Sequence, residues 1–556
     1  MNSALEIVSV GGSGGFGQNA TLLVWERVGL LIDFGIGFPR GAPVGATRVV
    51  PDAEPLVGRC ERLAGIVLTH AHDDHAAGLA WLPAAWQGAT VYGSAWTLAA
   101  ARDRYEQVTG RRLVGRTVDG GQRVECGPFA FHLLPVTHSA PESRAVLIRT
   151  PVGSVVHSGD FKLDPRPWRG APTDFEAFRR LTRGKVRVLM VDSTGARRRG
   201  RSRSESEVRP ALEEHILGAR GQVVVSTFAS HLHRLEAVAE VARAAGRRVA
   251  PLGQRMNEVL RRAVDMGSWA PPPGLLVSAE ELAREPPAAR LYLAGGCQGE
   301  PGSSLSRISR GDFPGVAVGR GDLLLLSSST IPGSEVQVGA LEDRFLRLGC
   351  PVVSARDDPR LHASGHGNRE EITEFIARIH PEILLPIHGD RVHLERCAEL
   401  GRALGAGPGR VEILERGESL LLDASTARRG EGVELSPRVL DDAGRHLARE
   451  EIRDRRRLGK GGVVVVRASW DPGREEPRIR SEALGIPQWQ GDAGRSGRVE
   501  AMVRTLLEGV SRPDPGLEEL VARRVSRFLR SGRRDRPQVV VILDPGPALD
   551  KQEESR

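Results

Sequence analysis

The chain has 556 residues, a formal net charge of +8 and an isoelectric point near 9.7. This length is too great for one hydrophobic core, so we expect roughly two to four domains. The 40% hydrophobic content excludes a chain that is disordered throughout. The basic charge suits a polyanionic partner, although an arginine-rich composition alone also produces it.

The spacing of the cysteines and the length of the apolar segments indicate the cellular compartment of the protein. The five cysteines are widely spaced and form no Cys-x-x-Cys pair, which favours a reducing compartment over a secreted one. Residues 1–10 lack the basic start and long apolar run of a secretory signal peptide. No segment offers the roughly 18 apolar residues that a membrane helix needs. The sequence therefore predicts a cytoplasmic protein without a membrane span.

Up to about residue 195, short apolar runs alternate with glycine-rich turns, which is the pattern of strands. A helical segment over 94–107 lies among them, and this mixture indicates sheets covered by helices. The predicted strands of this part are Ile7–Val10, Thr21–Val24, Leu30–Asp33, Gly65–Leu68, Phe129–Leu134, Ala145–Arg149, Ser154–His157 and Val186–Asp192.

The pattern changes after about residue 200, where Ser204 and Glu207 have the spacing of a capping box. Buried-type apolar runs then alternate with helical segments over 235–245 and 255–265, and this βαβα order predicts a parallel α/β domain. Its predicted strands are Gln222–Thr227, Arg247–Pro251, Arg290–Ala294 and Asp322–Ser327.

The rest of the chain returns to strands and ends in a charged α/β region. Strands are predicted over 351–354, 383–386, 410–422, 462–468 and 538–543, and helices over 436–457, 498–509 and 516–531. The predicted domain organisation is a first domain over 1–203, an inserted domain over 204–348, a return to the first domain over 349–423, a linker over 424–436 and a C-terminal domain over 437–556.

A dense group of polar side chains follows the predicted strand Gly65–Leu68, namely His70, His72, Asp74 and His75. A loop at the end of a strand can turn several side chains toward one point, and imidazoles and carboxylates are ligands of zinc and related metals. Four such ligands within six residues exceed what one tetrahedral site with distant donors needs. The pattern therefore predicts two adjacent ions.

Further ligands are expected where later strands end. His138, Asp160 and His388 each come directly after a predicted strand. One histidine in such a place is more often a hydrogen-bonded structural residue. The shared position, together with the first motif, makes all three candidate ligands.

These motifs resemble those of the metallo-β-lactamase superfamily. The resemblance implies two divalent metal ions per subunit, with zinc expected and manganese or magnesium as alternatives. It also implies that Asp33 accepts the distal N–H of a ligand histidine. By the same resemblance, one metal takes His70, His72 and His138, the other takes Asp74, His75 and His388, and Asp160 bridges them.

The segment inserted after Asp192 resembles the β-CASP nucleases, and blocks at 32–39, 156–162, 227–230, 299–301 and 328–333 resemble the ribonuclease J family. Asp192, His366 and His388 are similar to motifs A, B and C of those nucleases. The implied fold is a metallo-β-lactamase αββα sandwich with an inserted β-CASP α/β domain and a small C-terminal α/β domain. That last domain is expected to support a homodimer or tetramer.

The run His362–Gly367 joins small residues to a predicted helix start at Asn368, which has Glu371 as its capping partner. Ser364, Gly365 and Gly367 would let a phosphate approach the backbone near a helix N-terminus. The resemblance implies that His362 and Ser364 hold an RNA phosphate.

Two residues of the inserted domain, Phe228 and Ser230, are candidates for contacting the terminal nucleotide, with a structural role equally open. The basic run 197–203 could contact the RNA backbone, although a mobile solvated loop is the favoured interpretation. The family pattern is altered in places: the segment 11–19 lacks a charged Glu and Lys, Gly195 replaces an Asn, and His231 stands where Asn is common.

The resemblance implies a 5′-to-3′ exonuclease on single-stranded RNA that favours 5′-monophosphate ends, with endonuclease activity in addition, in RNA maturation and decay alongside partner proteins. Besides Asp74, the expected catalytic residues are His366, which would protonate the leaving 3′-oxygen, and Asp192, which would hold His366. A DNA-cleaving β-CASP nuclease and a non-catalytic RNA-binding partner subunit stay open as alternatives.

Overall fold

A computed structural model describes residues 4–39, 41, 43, 45–331, 333–405, 407–470, 476–486, 489, 493–510, 515–530 and 537–544. The chain forms two compact units, one made of Met1–Gly37 and Val50–Pro437, the other of Phe38–Val49 and Arg438–Arg556. All of the predicted site residues belong to the first unit.

The first 192 residues are rich in strands, and every strand predicted there is present within a few residues of its expected bounds. The predicted helix over 94–107 is α2, whose N-terminus is capped by the Ser94 side chain. The elements are β1 (Leu5–Gly11), β2 (Ala20–Trp25), β3 (Val28–Ile32), β4 (Ala46–Val50), β5 (Arg62–Val67), α1 (Asp73–Ala76), β6 (Val91–Gly93), α2 (Ala95–Thr109), β7 (Gly115–Thr117), β8 (Arg123–Cys126), β9 (Phe129–Pro135), β10 (Arg144–Thr150), β11 (Gly153–His157), α3 (Phe175–Thr182) and β12 (Val186–Asp192).

The inserted segment forms a parallel sheet in the order β14-β15-β13-β16-β17, with apolar clusters on both faces. Its elements are α4 (Val208–Gly218), β13 (Val223–Ser226), α5 (Leu232–Ala244), β14 (Arg248–Leu252), α6 (Gln254–Asp265), α7 (Ala279–Leu282), β15 (Arg290–Ala294), α8 (Ser304–Arg310), β16 (Leu323–Leu326), α9 (Glu335–Arg347) and β17 (Val352–Ser354).

Two details of this segment differ from expectation. The Ser204 side chain accepts the N–H of Ser206 and caps a single 3₁₀ turn, so the predicted capping box with Glu207 is wrong. The edge strand β17 lies past residue 348, where the inserted domain was predicted to end, because its apolar residues extend the same parallel sheet beside β16.

The chain then returns to the first two sheets through α10 (Arg369–Ile379), β18 (Pro381–Ile387), α11 (Arg391–Ala403), β19 (Arg410–Val411), β20 (Ser419–Leu422) and β21 (Ala427–Arg429). The predicted strand over 410–422 is in fact two short strands in different sheets. The segment 424–436, predicted to be a linker, contains β21, which pairs with β20 and extends the sheet.

Two large sheets give the first unit its core, in the orders β21-β20-β1-β2-β3-β5-β6-β7 and β19-β18-β12-β11-β10-β9-β8. Alternate residues of a strand point to opposite faces. Ile7 and Val146 accordingly belong to the apolar cluster between the sheets. Val8 and Leu147 belong to the two outer clusters, to which α2 and α10 contribute. This layering confirms the predicted αββα sandwich with an inserted α/β domain.

The second unit contains β22 (Arg438–Asp441), α12 (Arg449–Gly461), β23 (Val463–Ser469), β24 (Arg478–Leu484), α13 (Ala493–Leu507), α14 (Pro515–Arg530) and β25 (Gln538–Asp544). β22 pairs with β4, and β24-β23-β25 form a small sheet, so the predicted α/β character is present. The charged helix predicted over 436–457 is wrong at its start, because a turn at Asp441–Gly444 follows β22 and α12 begins only at Arg449. Within the described ranges, no helix is both long and apolar enough to span a membrane.

A buried ion pair stabilises the inserted domain. The Arg234 side chain is fully buried and donates hydrogen bonds to Glu205, to Ser327 and to the carbonyl of Leu361. The Glu205 carboxylate is almost as deeply buried. A buried carboxylate needs such a partner because it has lost its hydration.

We expect Arg234→Met to lower the free energy of unfolding by about 3–5 kcal/mol, because Glu205 would stay buried without its cation. The exposed pair between Arg209 and Glu240 provides the control, and Arg209→Met should cost less than about 1 kcal/mol. Urea denaturation followed by tryptophan fluorescence measures both. Equal losses in the two variants would contradict a stabilising role for the buried pair.

Candidate metal centre

The first group of predicted ligands lies in the loop between β5 and the end of α1. The loop after β3 holds this backbone, since the N–H groups of Phe34 and Ile36 donate to the carbonyls of His75 (2.8 Å) and Asp73 (3.0 Å). A Cβ atom on Gly35 would lie 1.7 Å from the carbonyl oxygen of Asp74, so only glycine fits at this crossing.

The other ligands come from neighbouring strands of the second sheet. His138 follows β9, Asp160 follows β11 and His388 follows β18. β11, β12 and β18 are parallel, and β9 runs in the same direction because it is separated from β11 by the antiparallel β10. The carboxyl ends of these strands therefore meet at one edge of the sheet.

The first set of donor atoms comes from His70, His72, His138 and Asp160, all within 4.8 Å of one another. His72 Nδ1 lies 3.1 Å from His70 Nε2 and 3.2 Å from His138 Nε2. Asp160 Oδ2 lies 3.6 Å from His70 Nε2 and 3.7 Å from His138 Nε2. This spacing suits three imidazoles and one carboxylate around a single cation.

The second set consists of Asp74, His75 and His388, also with donor atoms within 4.8 Å. His388 Nε2 lies 3.3 Å from Asp74 Oδ2. Asp160 reaches this set too, with Oδ2 3.3 Å from His75 Nε2 and Oδ1 3.2 Å from His388 Nδ1. The structure thus brings together all seven residues predicted as ligands, and Asp160 lies between the two sets.

The histidines of the first set are neutral near neutral pH. Burial lowers the pKa of His72 to about 4 and holds the pKa values of His70 and His138 well below their ordinary range. A neutral imidazole is the form that binds a cation, so these rings are prepared for coordination.

The histidines of the second set differ because carboxylates surround them. Burial alone would lower the pKa of His75 and of His388, but the charge of Asp160, with help from Asp74, outweighs it and raises both. In return, these imidazoles overcome the effect of burial on Asp160 and lower its pKa. The site therefore keeps its carboxylates ionised, as cation binding requires.

Asp33 contacts the candidate ligand His75 on the side of its ring that faces away from the centre. Its Oδ2 lies 2.7 Å from His75 Nδ1, and its carboxylate also accepts the N–H and the hydroxyl of Thr69. The Nδ1–H of His75 donates to it, which leaves Nε2 facing the centre. Asp33 (φ 58°) and His388 (φ 56°) both adopt the left-handed backbone conformation, which is uncommon outside glycine and typical of residues held by function.

His366 and Asp192 form a pair at the same edge. His366 Nδ1 lies 2.7 Å from Asp192 Oδ2, and its Nε2 lies 3.9 Å from Asp160 Oδ2. Thr194 fixes Asp192 through its N–H and its hydroxyl. The donor atoms of Asp160, Asp192, His366 and His388 also lie within 4.8 Å, so the geometry alone permits His366 to bind a cation as well.

The predicted phosphate loop is joined to a candidate metal ligand. The carbonyl of Gly365 accepts a hydrogen bond from His138 Nδ1 (2.6 Å), which directs His138 Nε2 toward the centre. A Cβ atom on Gly365 would lie 2.9 Å from His138 Cε1, so a side chain here would press on the imidazole ring that the Gly365 carbonyl holds. At the start of α10, Glu371 accepts the N–H of Asn368 as predicted. The Asn368 Oδ1 atom has no hydrogen-bond partner among the described residues.

Gly367 lies in the predicted phosphate loop, whereas the candidate nucleotide contacts lie in the inserted domain. The N–H of Gly367 donates to the carbonyl of Phe161 (2.7 Å), so this N–H stabilises the fold.

Phe228 and Ser230 are half-buried in the loop between β13 and α5. Within the described structure, no hydrogen bond or ring contact joins either side chain to the metal ligands. The contact of these two residues with a nucleotide stays a prediction.

Sequence reasoning missed Asn19, Thr69 and Thr194. The amide nitrogen of Asn19 lies 3.2 Å from Asp74 Oδ2 and 2.9 Å from His75 Nε2. The Thr194 hydroxyl lies 3.0 Å from His388 Nδ1. The available signals were the position of Asn19 at the end of a glycine-rich block and of Thr69 directly before His70.

Comparison with known proteins identifies the family. The family model described as "Ribonuclease J, beta-CASP domain" matches residues 220–345, and the model described as "Beta-lactamase superfamily domain" matches 30–252. The "Zn-dependent metallo-hydrolase RNA specificity domain" matches residues 355–413. A ribonuclease J from Sinorhizobium meliloti is 34% identical, with 91% of this chain and 89% of that protein covered. The chain belongs to the ribonuclease J family.

Another member of the ribonuclease J family, from Mycobacterium tuberculosis, is 32% identical, with 97% of each chain covered. A solved structure of a protein of unknown function from Enterococcus faecalis aligns with a TM-score of 0.55 at 16% identity, over 75% of this chain and all of that one. At that identity the structural match shows the shared fold alone. Family membership and the His/Asp clusters together indicate a hydrolase that binds divalent metal.

We expect Asp33→Asn to weaken metal affinity about 10- to 100-fold, because an amide has no charge and only one acceptor oxygen and so cannot accept from Thr69 and His75 as the carboxylate does. Titration of the metal-free protein against a fluorescent chelator measures this affinity. Asp103→Asn is the control, since its exposed side chain pairs with Arg262 on the surface. Equal affinities of the two variants would contradict a role for Asp33 at the centre.

Proposed function

We propose that this protein is a metal-dependent ribonuclease that hydrolyses phosphodiester bonds of single-stranded RNA. The observation that carries the proposal is the hydrogen bond from the ligand His138 to Gly365 of the loop His362–Gly367. It supports the proposal because it joins the candidate metal cluster to a loop of small residues at a helix N-terminus, which suits a phosphate. The names of the matched family models and relatives support RNA as the substrate.

We further propose two metal ions, one held by His70, His72 and His138 and one by Asp74, His75 and His388, with Asp160 between them. Zinc is the expected identity, and manganese or magnesium are alternatives that the same ligands accept. When bound, such ions would lower the pKa of a water molecule toward neutrality and offset charge on the phosphoryl oxygens. The donor atoms support this assignment because they form two groups that share one carboxylate.

The proton required by the leaving 3′-oxygen would come from His366. Burial alone would raise the pKa of Asp192, but the charge of His366 lowers it, so Asp192 stays ionised and accepts the Nδ1–H of His366. Nε2 then faces the centre, where it can deliver a proton. Asp192 orients His366 and does not itself react.

The finer aspects of the proposal rest on the family. We propose 5′-to-3′ exonuclease action that favours 5′-monophosphate ends, with additional endonuclease cleavage, in RNA maturation and decay. A homodimer or tetramer formed through the C-terminal domain, RNA-decay partner proteins and a cytoplasmic location belong to the same proposal. The five buried free cysteines are compatible with a reducing compartment.

A DNA-cleaving β-CASP nuclease is the competing enzyme function, since no described residue is shown to contact a 2′-hydroxyl. A non-catalytic RNA-binding subunit is disfavoured because a complete ligand set and the pair of His366 with Asp192 would then have no use.

We expect Asp74→Ala to abolish RNA hydrolysis and to reduce the bound metal, because Asp74 belongs to the second ligand set. The adjacent Asp73→Ala is the matched control, since Asp73 pairs with Arg255 outside the cluster. The assay digests end-labelled 5′-monophosphate and 5′-hydroxyl RNA, with a DNA of the same sequence, after chelation and addition of single metals. Full RNase activity and metal content in Asp74→Ala would refute the site assignment.

We expect His366→Ala to slow RNA hydrolysis by about 10²–10⁴-fold through loss of the proton donor. A nucleoside 5′-phosphate p-nitrophenyl ester should be affected much less, since its leaving group departs without protonation. His215→Ala is the matched control, because His215 makes a comparable pair with Asp358 within the inserted domain. Equal losses on both substrates would instead favour His366 as a metal ligand.

A further inference from the structure

The basic run 197–203 is anchored to the phosphate loop and the helix that follows it. The N–H and hydroxyl of Ser202 donate to Glu371 (2.5 and 2.8 Å), and Arg201 pairs with Glu374 (2.8 Å). The N–H of Arg369 donates to the carbonyl of Arg198 (3.1 Å). Carboxylates of α10 therefore bind the run at Ser202 and Arg201, while Arg197, Arg198 and Arg199 are exposed, as a solvated loop requires.

The anchoring places one guanidinium group on the phosphate loop. Arg198 Nη1 donates to Ser364 Oγ (3.2 Å), and the N–H of His366 donates to the same oxygen (3.1 Å). A serine hydroxyl has two acceptor lone pairs and one hydrogen. Because both lone pairs are engaged, the hydrogen of Ser364 is left to donate to an incoming acceptor.

The positive charge at this loop comes from Arg198. Burial, together with Arg234, lowers the pKa of His362 to about 3, so this ring is neutral near neutral pH. The buried Nδ1 atom of His362 has no hydrogen-bond partner among the described residues. Ser364 carries no charge either, whereas the exposed Arg198 keeps further N–H donors.

We propose that Arg198 binds the non-bridging oxygens of an RNA phosphate together with Ser364, and that this contact sets the affinity for the RNA strand rather than the rate of the chemical step. A planar guanidinium suits phosphate because it donates two parallel hydrogen bonds. The anchored loop holds the group in place before RNA binds, which reduces the entropy lost on binding. The inference rests on the proposed ribonuclease function.

The test is steady-state hydrolysis of a 5′-monophosphate RNA by the metal-loaded protein. We expect Arg198→Ala to raise KM roughly 10- to 100-fold, as for loss of a charged hydrogen bond, with kcat changed less than about twofold. Arg198→Lys should recover part of the loss, since it restores charge without the fork. The slope of log KM against log salt concentration should be smaller by about one in Arg198→Ala than in the wild-type protein.

The control lies in the same run: Arg199→Ala removes an equal charge from a side chain that makes no hydrogen bond to the phosphate loop in the described structure. Ser364→Ala and the Arg198→Ala/Ser364→Ala double variant complete a double-mutant cycle. If the effects of the two single variants on KM do not add up to the effect of the double variant, both side chains bind one shared phosphate. Thermal melting of each variant confirms that it is folded.

The outcomes separate the two proposals. If the wild-type protein binds metal but cleaves no RNA, the ribonuclease function fails. If it cleaves RNA while Arg198→Ala matches Arg199→Ala in KM, only the Arg198 contact is overturned. A fall in kcat at unchanged KM would equally overturn it, because Arg198 would then act on the chemical step.

Discussion

The buried carboxylate of Asp160 is the group around which the site is arranged. It is 3% exposed, and its oxygens lie 3.2–3.7 Å from ring nitrogens of His70, His75, His138 and His388. An ionised carboxylate at this depth is costly unless positive charge meets it from several sides. Asp160 raises the pKa values of His75 and His388, and these two imidazoles follow strands of different sheets, so the sandwich must close for the charge of Asp160 to be compensated.

Two of the candidate ligands are in turn fixed by a hydrogen bond from outside the centre. Asp33 holds His75, and the Gly365 carbonyl holds His138. The left-handed backbone at Asp33 and His388 is tolerated because strands and hydrogen bonds on both sides determine it. Gly35 serves the same purpose by letting two backbones approach more closely than a side chain would permit.

The insertion is placed so that both of its ends serve the centre. It leaves the second sheet at Asp192, the last residue of β12, and the chain returns to that sheet in β18, where Ile387 is the direct partner of Asp192. The loops that follow these strands therefore share one edge. A Cβ atom on Gly195 would lie 1.9 Å from the carbonyl oxygen of Gly367, so the two loops touch through their backbones. This contact holds the predicted phosphate loop, which follows the inserted sheet, close to the loop after β12.

Apolar periodicity predicted most of the strands and the βαβα order, and polar residues at strand ends predicted the seven candidate ligands, because both are local signals. The αββα sandwich came from the family resemblance. The tertiary structure decided what depends on pairing between distant segments. Asn19 contacts Asp74 and His75 from another loop, and β21 and β22 form only because a partner strand is available to short or polar runs. The anchoring of the basic run could not be predicted for the same reason: the carboxylates of Glu371 and Glu374 that bind it lie about 170 residues further along the chain, where sequence spacing carries no information.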